Sequence, residues 1–264
     1  MIDIHAHILP GVDDGAKTME DSLEMISQAA DSGVEIICAT PHILDGITLT
    51  LEEKINRTFQ LLHSRVIKRK LDIKLMLGSE IYLREDMRSL SGFSFFSLNQ
   101  TGKYVLVEMP LGRLPTGVDR VIYALKLENI TPIIAHPERS LSEMNQLESL
   151  GKLIPLGALT QINAGSFLGQ FGKPCRKMAE SLLGQNLVHV VASDAHDPYS
   201  RSATLLRQAF NKVIRLSDEK KAGELFVQNP LRILKGERLF EGGEEANRAD
   251  PVAQMEVGPL RNQE

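Results

Sequence analysis

The sequence predicts an α/β fold, a parallel β-barrel built from repeated strand and helix units. Three observations support this prediction. Apolar runs of strand length recur seven times, helix-period segments separate them, and polar side chains stand at six strand ends. Parallel strands require crossover connections, and helices in those connections cover the strands. A doubly wound open sheet is the alternative. Polar groups from six strand ends converge on one mouth more naturally in a closed barrel.

The predicted strands are short and apolar. In the first strand, His5 and His7 project to the same side, because strand side chains repeat every two residues. The opposite face carries Ile2, Ile4 and Ile8. The seven strands are predicted at residues 2–7, 34–40, 73–77, 104–108, 131–135, 159–163 and 187–193.

The intervening segments have the spacing of amphipathic helices. Apolar residues at 19, 23, 26 and 30 predict the first helix, with Thr18 as its N-cap and Gly33 as its C-terminal stop. The spacing repeats at 55, 59, 62 and 66. Weaker versions of the pattern occupy 117–128, 143–151 and 174–185.

Length and composition bound the class of protein. A chain of 264 residues can bury one large core, so we assign residues 1–240 to one domain and expect 241–264 to be a flexible extension or a short interaction segment. The net charge is −4, whereas a nucleic-acid-binding protein usually carries clustered lysine and arginine residues. The absence of a long apolar run predicts no membrane span, and Cys38 and Cys175 form neither a metal motif nor a disulfide framework. We therefore expect a cytoplasmic protein.

Residues of metal-ligand type stand at or just past the strand ends, and five of the seven histidines are among them. Imidazole and carboxylate together suit zinc, manganese or iron, and eight or nine ligands exceed the need of one ion. We therefore predict two or three divalent ions. His63 and His189 are interpreted as structural or surface residues. The first β–α loop adds the acidic pair of Asp13-Asp14-Gly15. The candidate ligands at the strand ends are His5, His7, His42, Glu80, Glu108, His136, Asp194 and His196.

Each candidate has a plainer interpretation when it is taken alone. A single histidine at a strand end is more often a satisfied, partly buried residue, and Asp13-Asp14-Gly15 is more often an ordinary turn. Glu80 and Glu108 differ, because each ends an apolar strand, where an unpaired carboxylate is costly. The set as a whole favours a metal site.

Seven sequence blocks stand in order along the chain, at residues 3–7, 11–15, 40–42, 78–81, 107–110, 135–139 and 193–196. In these blocks the chain resembles the polymerase-and-histidinol-phosphatase (PHP) superfamily. Within it, the chain is similar to the bacterial PHP-type protein-tyrosine phosphatases of capsule and exopolysaccharide operons, over roughly residues 1–236. The resemblance implies a distorted (β/α)7 TIM-like barrel with a trinuclear, usually manganese-dependent site. The nine matching ligand positions each hold a suitable residue: His5, His7, Asp14, His42, Glu80, Glu108, His136, Asp194 and His196.

The resemblance also implies a substrate, the tyrosine-phosphorylated tail of a cognate bacterial autokinase. Arg139 and Arg201 correspond to phosphate-binding arginines, and such forked guanidinium groups stabilise charge on phosphoryl oxygens. His196 or Asp14 would protonate the leaving tyrosine, and the sequence does not choose between them. Ser140 departs from the family pattern, since relatives often place an aromatic residue there.

Two other functions stay open at this stage. A PHP phosphoesterase could act on a small phosphomonoester such as histidinol phosphate or as a nuclease, although the acidic balance disfavours the nuclease. A catalytically silent metal-binding or regulatory module would require a broken ligand set, and every candidate position holds a suitable residue.

Overall fold

The computed structural model describes residues 1–112, 114–141 and 146–239, so the tail predicted at 241–264 lies outside the described residues. These described residues contain nine short β-segments, all paired in parallel. They are β1 (Ile2–Ala6), β2 (Ile36–Ala39), β3 (His42–Ile43), β4 (Lys74–Leu77), β5 (Glu80–Tyr82), β6 (Tyr104–Glu108), β7 (Thr131–Ala135), β8 (Leu159–Asn163) and β9 (Val190–Ala192).

These segments form seven strand units that close into a ring. One sheet has the order β1-β2-β4 and the other β3-β5-β6-β7-β8-β9, and two residues separate β2 from β3 and β4 from β5. Closure is made beside β1, where the His7 amide donates to the Ala195 carbonyl at 2.8 Å and the Asp194 amide donates to the His5 carbonyl at 2.9 Å. The predicted barrel of seven strand units is thus confirmed, and the open sheet is excluded.

Ten α-helices are described. They are α1 (Met19–Asp31), α2 (Leu49–Lys68), α3 (Val118–Leu127), α4 (Pro137–Ser140), α5 (Gln146–Gly151), α6 (Ala164–Leu168), α7 (Gly172–Gly184), α8 (Leu205–Leu216), α9 (Glu219–Gly223) and α10 (Asn229–Lys235). A π-helical turn, Glu224–Gln228, joins α9 to α10. Nothing among the described helices is both long and apolar enough to cross a membrane.

The predicted start of α1 is confirmed in detail. Thr18 accepts from the Asp21 amide at 3.1 Å, and the Asp21 carboxylate accepts from the Thr18 amide at 2.9 Å. This reciprocal capping satisfies amide groups that a helix start leaves unpaired. Gly33 follows the helix with a φ of +87°, which suits a residue without a Cβ.

The apolar core has two parts, and one prediction about them is wrong. An inner cluster contains Leu106, Ile133 and Val190, and it includes Ile2 and Ile4 of β1. Ile8, which was predicted to share their face, packs in the outer cluster between the strands and the helices. The pairing of β1 with β2 shifts register between Asp3 and Ala6, and such an irregularity changes the face that later residues occupy.

Candidate metal centre

The nine candidate ligands lie together at the carboxyl ends of the strands. Register contributes to this arrangement, since His42 of β3 is paired with Glu80 of β5, and Tyr82 of β5 with Glu108 of β6. Three overlapping groups have ligand-type atoms within 4.8 Å of one another: His7, Asp14, His42 and His196; His5, His7 and Glu80; and His42, Glu80 and Glu108. His136 and Asp194 are also in contact with these groups.

Glu80 lies at the middle of the cluster and is fully buried. Its Oε1 atom is 2.9 Å from His136 Nε2. Its Oε2 atom is 3.1 Å from His5 Nε2 and 3.0 Å from His42 Nδ1. The two oxygens of one carboxylate therefore face different groups of imidazoles, which is the arrangement that a carboxylate bridging two ions requires.

Asp194 faces two ways. Its Oδ1 atom is 3.4 Å from the Nε2 atoms of both His5 and His7. Its Oδ2 atom accepts from Arg139 Nη1 at 2.8 Å and from Arg201 Nη2 at 2.6 Å. One carboxylate thus joins the imidazole cluster to the two predicted phosphate-binding arginines.

Hydrogen bonds behind the first two histidines orient their rings. His7 Nδ1 is 2.8 Å from Asp13 Oδ2, and His5 Nδ1 is 2.8 Å from Gln161 Oε1. The remaining Nε2 atoms of the two rings meet 3.1 Å apart. Asp13 also accepts from the Gly15 amide at 3.0 Å, and a Cβ on Gly15 would overlap the His7 carbonyl oxygen. The first loop therefore packs directly against the strand that carries both histidines.

The electrostatics of the site favour cations. Burial lowers the pKa of His5 and of His7, but the surrounding carboxylates outweigh burial, and both pKa values are raised. Burial raises the pKa of Glu80 and of Asp194, yet their partners, chiefly His5, hold both pKa values well below the usual range. Burial and the neighbouring His7 lower the pKa of His196. Carboxylates that stay ionised at full burial need positive charge beside them.

Two buried polar atoms show whether the site suits a metal ion. Glu80 Oε2 and His42 Nδ1 make no hydrogen bond with any residue that the structure describes, although they lie 3.0 Å apart. Leaving buried polar atoms unpaired costs free energy, and a cation bound between them would satisfy both. Nitrogen and carboxylate oxygen are also the donor mixture that first-row transition metals accept. The residues present therefore fit divalent ions.

The two arginines lie beside the cluster on separate elements. Arg139 belongs to α4, which begins directly after His136, and Arg201 lies in the loop after β9. Their guanidinium carbons are 4.6 Å and 5.8 Å from the centroid of the Phe171 ring. His136 and Asp194 both have positive φ, at 31° and 53°, which is uncommon outside glycine and is found at functional sites.

The other predicted residues lie as follows. Asp14 is 64% exposed and stands at the mouth, with its Oδ1 atom 3.4 Å from His196 Nε2. His63 stacks against Phe59 within α2. His189 Nδ1 accepts from the Thr160 amide at 3.1 Å. Both of these last two histidines are outside the cluster, as predicted. The buried Ser140 hydroxyl donates to the Met109 carbonyl at 3.3 Å.

Sequence reasoning missed several residues that hold the site. Asp13 was treated as part of a turn, but it orients His7. No site residue was predicted on the strand at 159–163, yet Gln161 contacts His5, and Asn163 Nδ2 donates to Asp194 Oδ2 at 2.6 Å. Two amides that alternate at the carboxyl end of an apolar strand were the available signal. Phe171 carried no signal in the sequence.

Comparison with known proteins gives close relatives. Residues 1–235 match the family described as capsular polysaccharide synthesis, CpsB/CapC. Tyrosine-protein phosphatase YwqE of Bacillus subtilis is 37% identical over 203 residues, covering 76% of this chain and 80% of that protein. Tyrosine-protein phosphatase CpsB of Streptococcus agalactiae serotype III is 36% identical over 241 residues, covering 89% of this chain and 98% of that protein.

Solved structures with a similar fold include a metal-dependent tyrosine phosphatase and a histidinol phosphate phosphatase. A chain from the crystal structures of YwqE from Bacillus subtilis and CpsB from Streptococcus pneumoniae, called unique metal-dependent tyrosine phosphatases, superposes with a TM-score of 0.83. It has 34% identity and covers 91% of this chain and 96% of that one. Histidinol phosphate phosphatase from Lactococcus lactis, at 16% identity and a TM-score of 0.51, shares the fold alone and covers 85% of this chain and 94% of that one. The predicted resemblance is confirmed.

Proposed function

The chain belongs to the capsular polysaccharide synthesis CpsB/CapC family, and from that premise we propose that it is a metal-dependent tyrosine-protein phosphatase of capsule or exopolysaccharide synthesis. The observation that carries this proposal is the cluster of nine imidazole and carboxylate side chains whose Asp194 also binds Arg139 and Arg201. Relatives named tyrosine-protein phosphatases support it across nine-tenths of the chain.

We assign the nine side chains to two or three divalent ions, with manganese proposed and iron or zinc as alternatives. Glu80 is positioned to bridge, since its two oxygens face different imidazoles. Divalent ions held there would supply Lewis acidity to the phosphoryl group and make a water molecule acidic enough to be the nucleophile near neutral pH.

Arg139 and Arg201 would bind the phosphoryl oxygens that point away from the ligand cluster. Each arginine is bound to Asp194 through one terminal nitrogen, so further N–H groups stay available for a phosphoryl oxygen. Arg201 Nε is buried and has no hydrogen-bond partner among the described residues. A planar guanidinium group matches phosphoryl oxygens in a two-pronged geometry, which stabilises the charge of the transition state.

The leaving group is a phenolate, and a free tyrosine has a pKa of about 10, so it needs less protonation than an alkoxide. His196 and Asp14 stay the two candidates for the proton donor. Their facing atoms are 3.4 Å apart at the mouth, and Asp14 is the more exposed of the two. Both are also candidate ligands, so either role depends on which atoms hold an ion.

We propose the tyrosine-phosphorylated tail of a cognate bacterial autokinase as substrate. The open mouth supports a macromolecular substrate, because Asp14 is 64% exposed and Tyr199, between His196 and Arg201, is 86% exposed. The net charge of −4 offers nucleic acid no electrostatic attraction. We also propose a cytoplasmic location, where the free thiols Cys38 and Cys175 would be stable.

The test is a comparison of substrates with manganese added. We expect turnover of a tyrosine-phosphorylated autokinase tail peptide to exceed that of a phosphoserine peptide, histidinol phosphate and single-stranded DNA. Prior chelation should abolish that turnover, and added manganese should restore it. Preference for histidinol phosphate or DNA, or full activity after exhaustive chelation, would contradict the proposal.

A further inference from the structure

We propose that Gln161 and Asn163, the two amide side chains of β8, are positioning residues that hold His5 in the tautomer a metal ligand requires and connect it to Asp194. This inference rests on the proposed function, because it assigns both amides a role toward bound divalent ions. β8 is the one strand unit for which the sequence predicted no ligand. Both amides and His5 are fully buried.

The direction of the hydrogen bonds follows from the Asp194 carboxylate. An ionised carboxylate only accepts hydrogen bonds, so the group that Asn163 turns toward Asp194 Oδ2, 2.6 Å away, must be its NH₂ group. The Asn163 carbonyl oxygen then faces Gln161 and accepts from Gln161 Nε2 at 2.9 Å. The orientation of both amides is therefore set by chemistry.

The same chain of hydrogen bonds decides the state of His5. Since the Gln161 NH₂ group faces Asn163, the Gln161 carbonyl oxygen must face His5 Nδ1, 2.8 Å away. A carbonyl oxygen only accepts, so His5 Nδ1 carries a proton. A histidine that binds a metal ion is neutral, so with the proton on Nδ1 the lone pair lies on His5 Nε2. That nitrogen points at Glu80 Oε2, 3.1 Å away, within the ligand cluster.

The backbone of β8 keeps this chain of amides in place. The backbone N–H of Asn163 donates to Glu138 Oε1 at 3.0 Å, and the Ser166 hydroxyl donates to the same oxygen at 2.6 Å. The buried Glu138 carboxylate thus fixes the end of β8, where Asn163 must reach Asp194. Apolar side chains of similar size would fill the same space, so packing alone does not explain two buried amides here.

The first experiment needs no variant. The zinc-loaded protein is diamagnetic, so NMR of its imidazole nitrogens reports which ring nitrogen of His5 carries the proton. We expect the proton on Nδ1 and the zinc-facing lone pair on Nε2. A proton on Nε2, or zinc bound through Nδ1, would overturn the inference.

The second experiment compares zinc affinity among three variants by competition with a chelator. Gln161→Met removes the acceptor for His5 and should weaken zinc binding about 10- to 100-fold. Gln161→Glu keeps an acceptor for His5 Nδ1 and should remain closer to the parent. Thr160→Val is the matched control, because Thr160 is a buried polar residue of β8 whose hydroxyl donates to the Leu187 carbonyl, away from the cluster.

Each outcome decides the question. Equal zinc affinity in Gln161→Met and Thr160→Val, or equal loss in Gln161→Met and Gln161→Glu, would refute a positioning role. If Gln161→Met does not fold, the NMR result on the parent protein still decides the tautomer. A protein that binds zinc with His5 in the expected tautomer but does not hydrolyse phosphotyrosine would contradict the proposed function alone.

Discussion

Replacement of Arg139 or Arg201 by alanine should lower kcat/KM for a phosphotyrosine peptide by ~10²-fold, equivalent to about 2.7 kcal/mol of transition-state stabilisation. The structure places this loss at the lower end of the range for such contacts. Arg139 is 23% exposed and Arg201 is 24% exposed, so water screens part of the charge that each presents to the phosphoryl group.

Metal content should be unchanged in both alanine variants. Asp194 Oδ2 accepts from three donors, Arg139, Arg201 and Asn163, so two donors remain when either arginine is removed. Asp194 Oδ1, which faces the imidazoles, keeps its own contacts. The loss of turnover should therefore occur in a fully metallated enzyme.

The assay combines peptide turnover with inhibition by inorganic phosphate on folded, metallated variants. Arg→Lys at either position should recover only part of the rate, because lysine keeps the charge but loses the planar, two-pronged geometry. Arg176→Ala is the control for loss of positive charge, since Arg176 forms a surface ion pair with Glu180. Unchanged turnover and unchanged phosphate inhibition in both Arg139→Ala and Arg201→Ala would refute the assignment.

Four further predictions concern the metal centre and the thiols. His136→Ala should lose metal and activity together, as elemental analysis beside peptide turnover will show; retention of both would remove His136 from the ligand set. Gly15→Ala should lower metal affinity, measured by chelator competition, because its Cβ would overlap the His7 carbonyl oxygen. The Cys38→Ala, Cys175→Ala double variant should hydrolyse the phosphotyrosine peptide near the parent rate, because the proposed nucleophile is water. Complete loss of that activity in a folded double variant would contradict the proposed nucleophile. Burial raises the pKa of the Cys38 thiol to about 12, so Cys38 stays protonated below that pH and should resist alkylation near neutral pH.

Local chain patterns predicted much of the fold. Strand and helix periods recur along the sequence because they depend on neighbouring residues, and each of the seven predicted runs contains a strand. The short segments β3 and β5, which extend two of the strand units, lie beyond the predicted runs. Helix α8 was missed, although Leu206, Ala209 and Val213 make a buried stripe with helical spacing. The face of Ile8 was predicted wrongly, because the register shift in β1 arises from pairing with another strand.

The sequence by itself determined which side chains could gather at the mouth. A residue at the carboxyl end of a parallel strand reaches that mouth in any barrel of this kind, so His42, Glu80 and Glu108 were identified without knowledge of their neighbours. Their role as ligands stays a prediction, and so do the roles of Arg139 and Arg201.

Only the tertiary structure decided which atoms meet. His5 and Gln161 are 156 residues apart in the chain, and Asn163 and Asp194 are 31 apart, yet each pair lies within hydrogen-bonding distance. Such contacts form when the ring of strands closes, and no local period encodes them. The physical reason is that secondary structure follows from near neighbours, whereas the orientation of a buried polar group is set by whichever donor or acceptor the closed barrel brings against it.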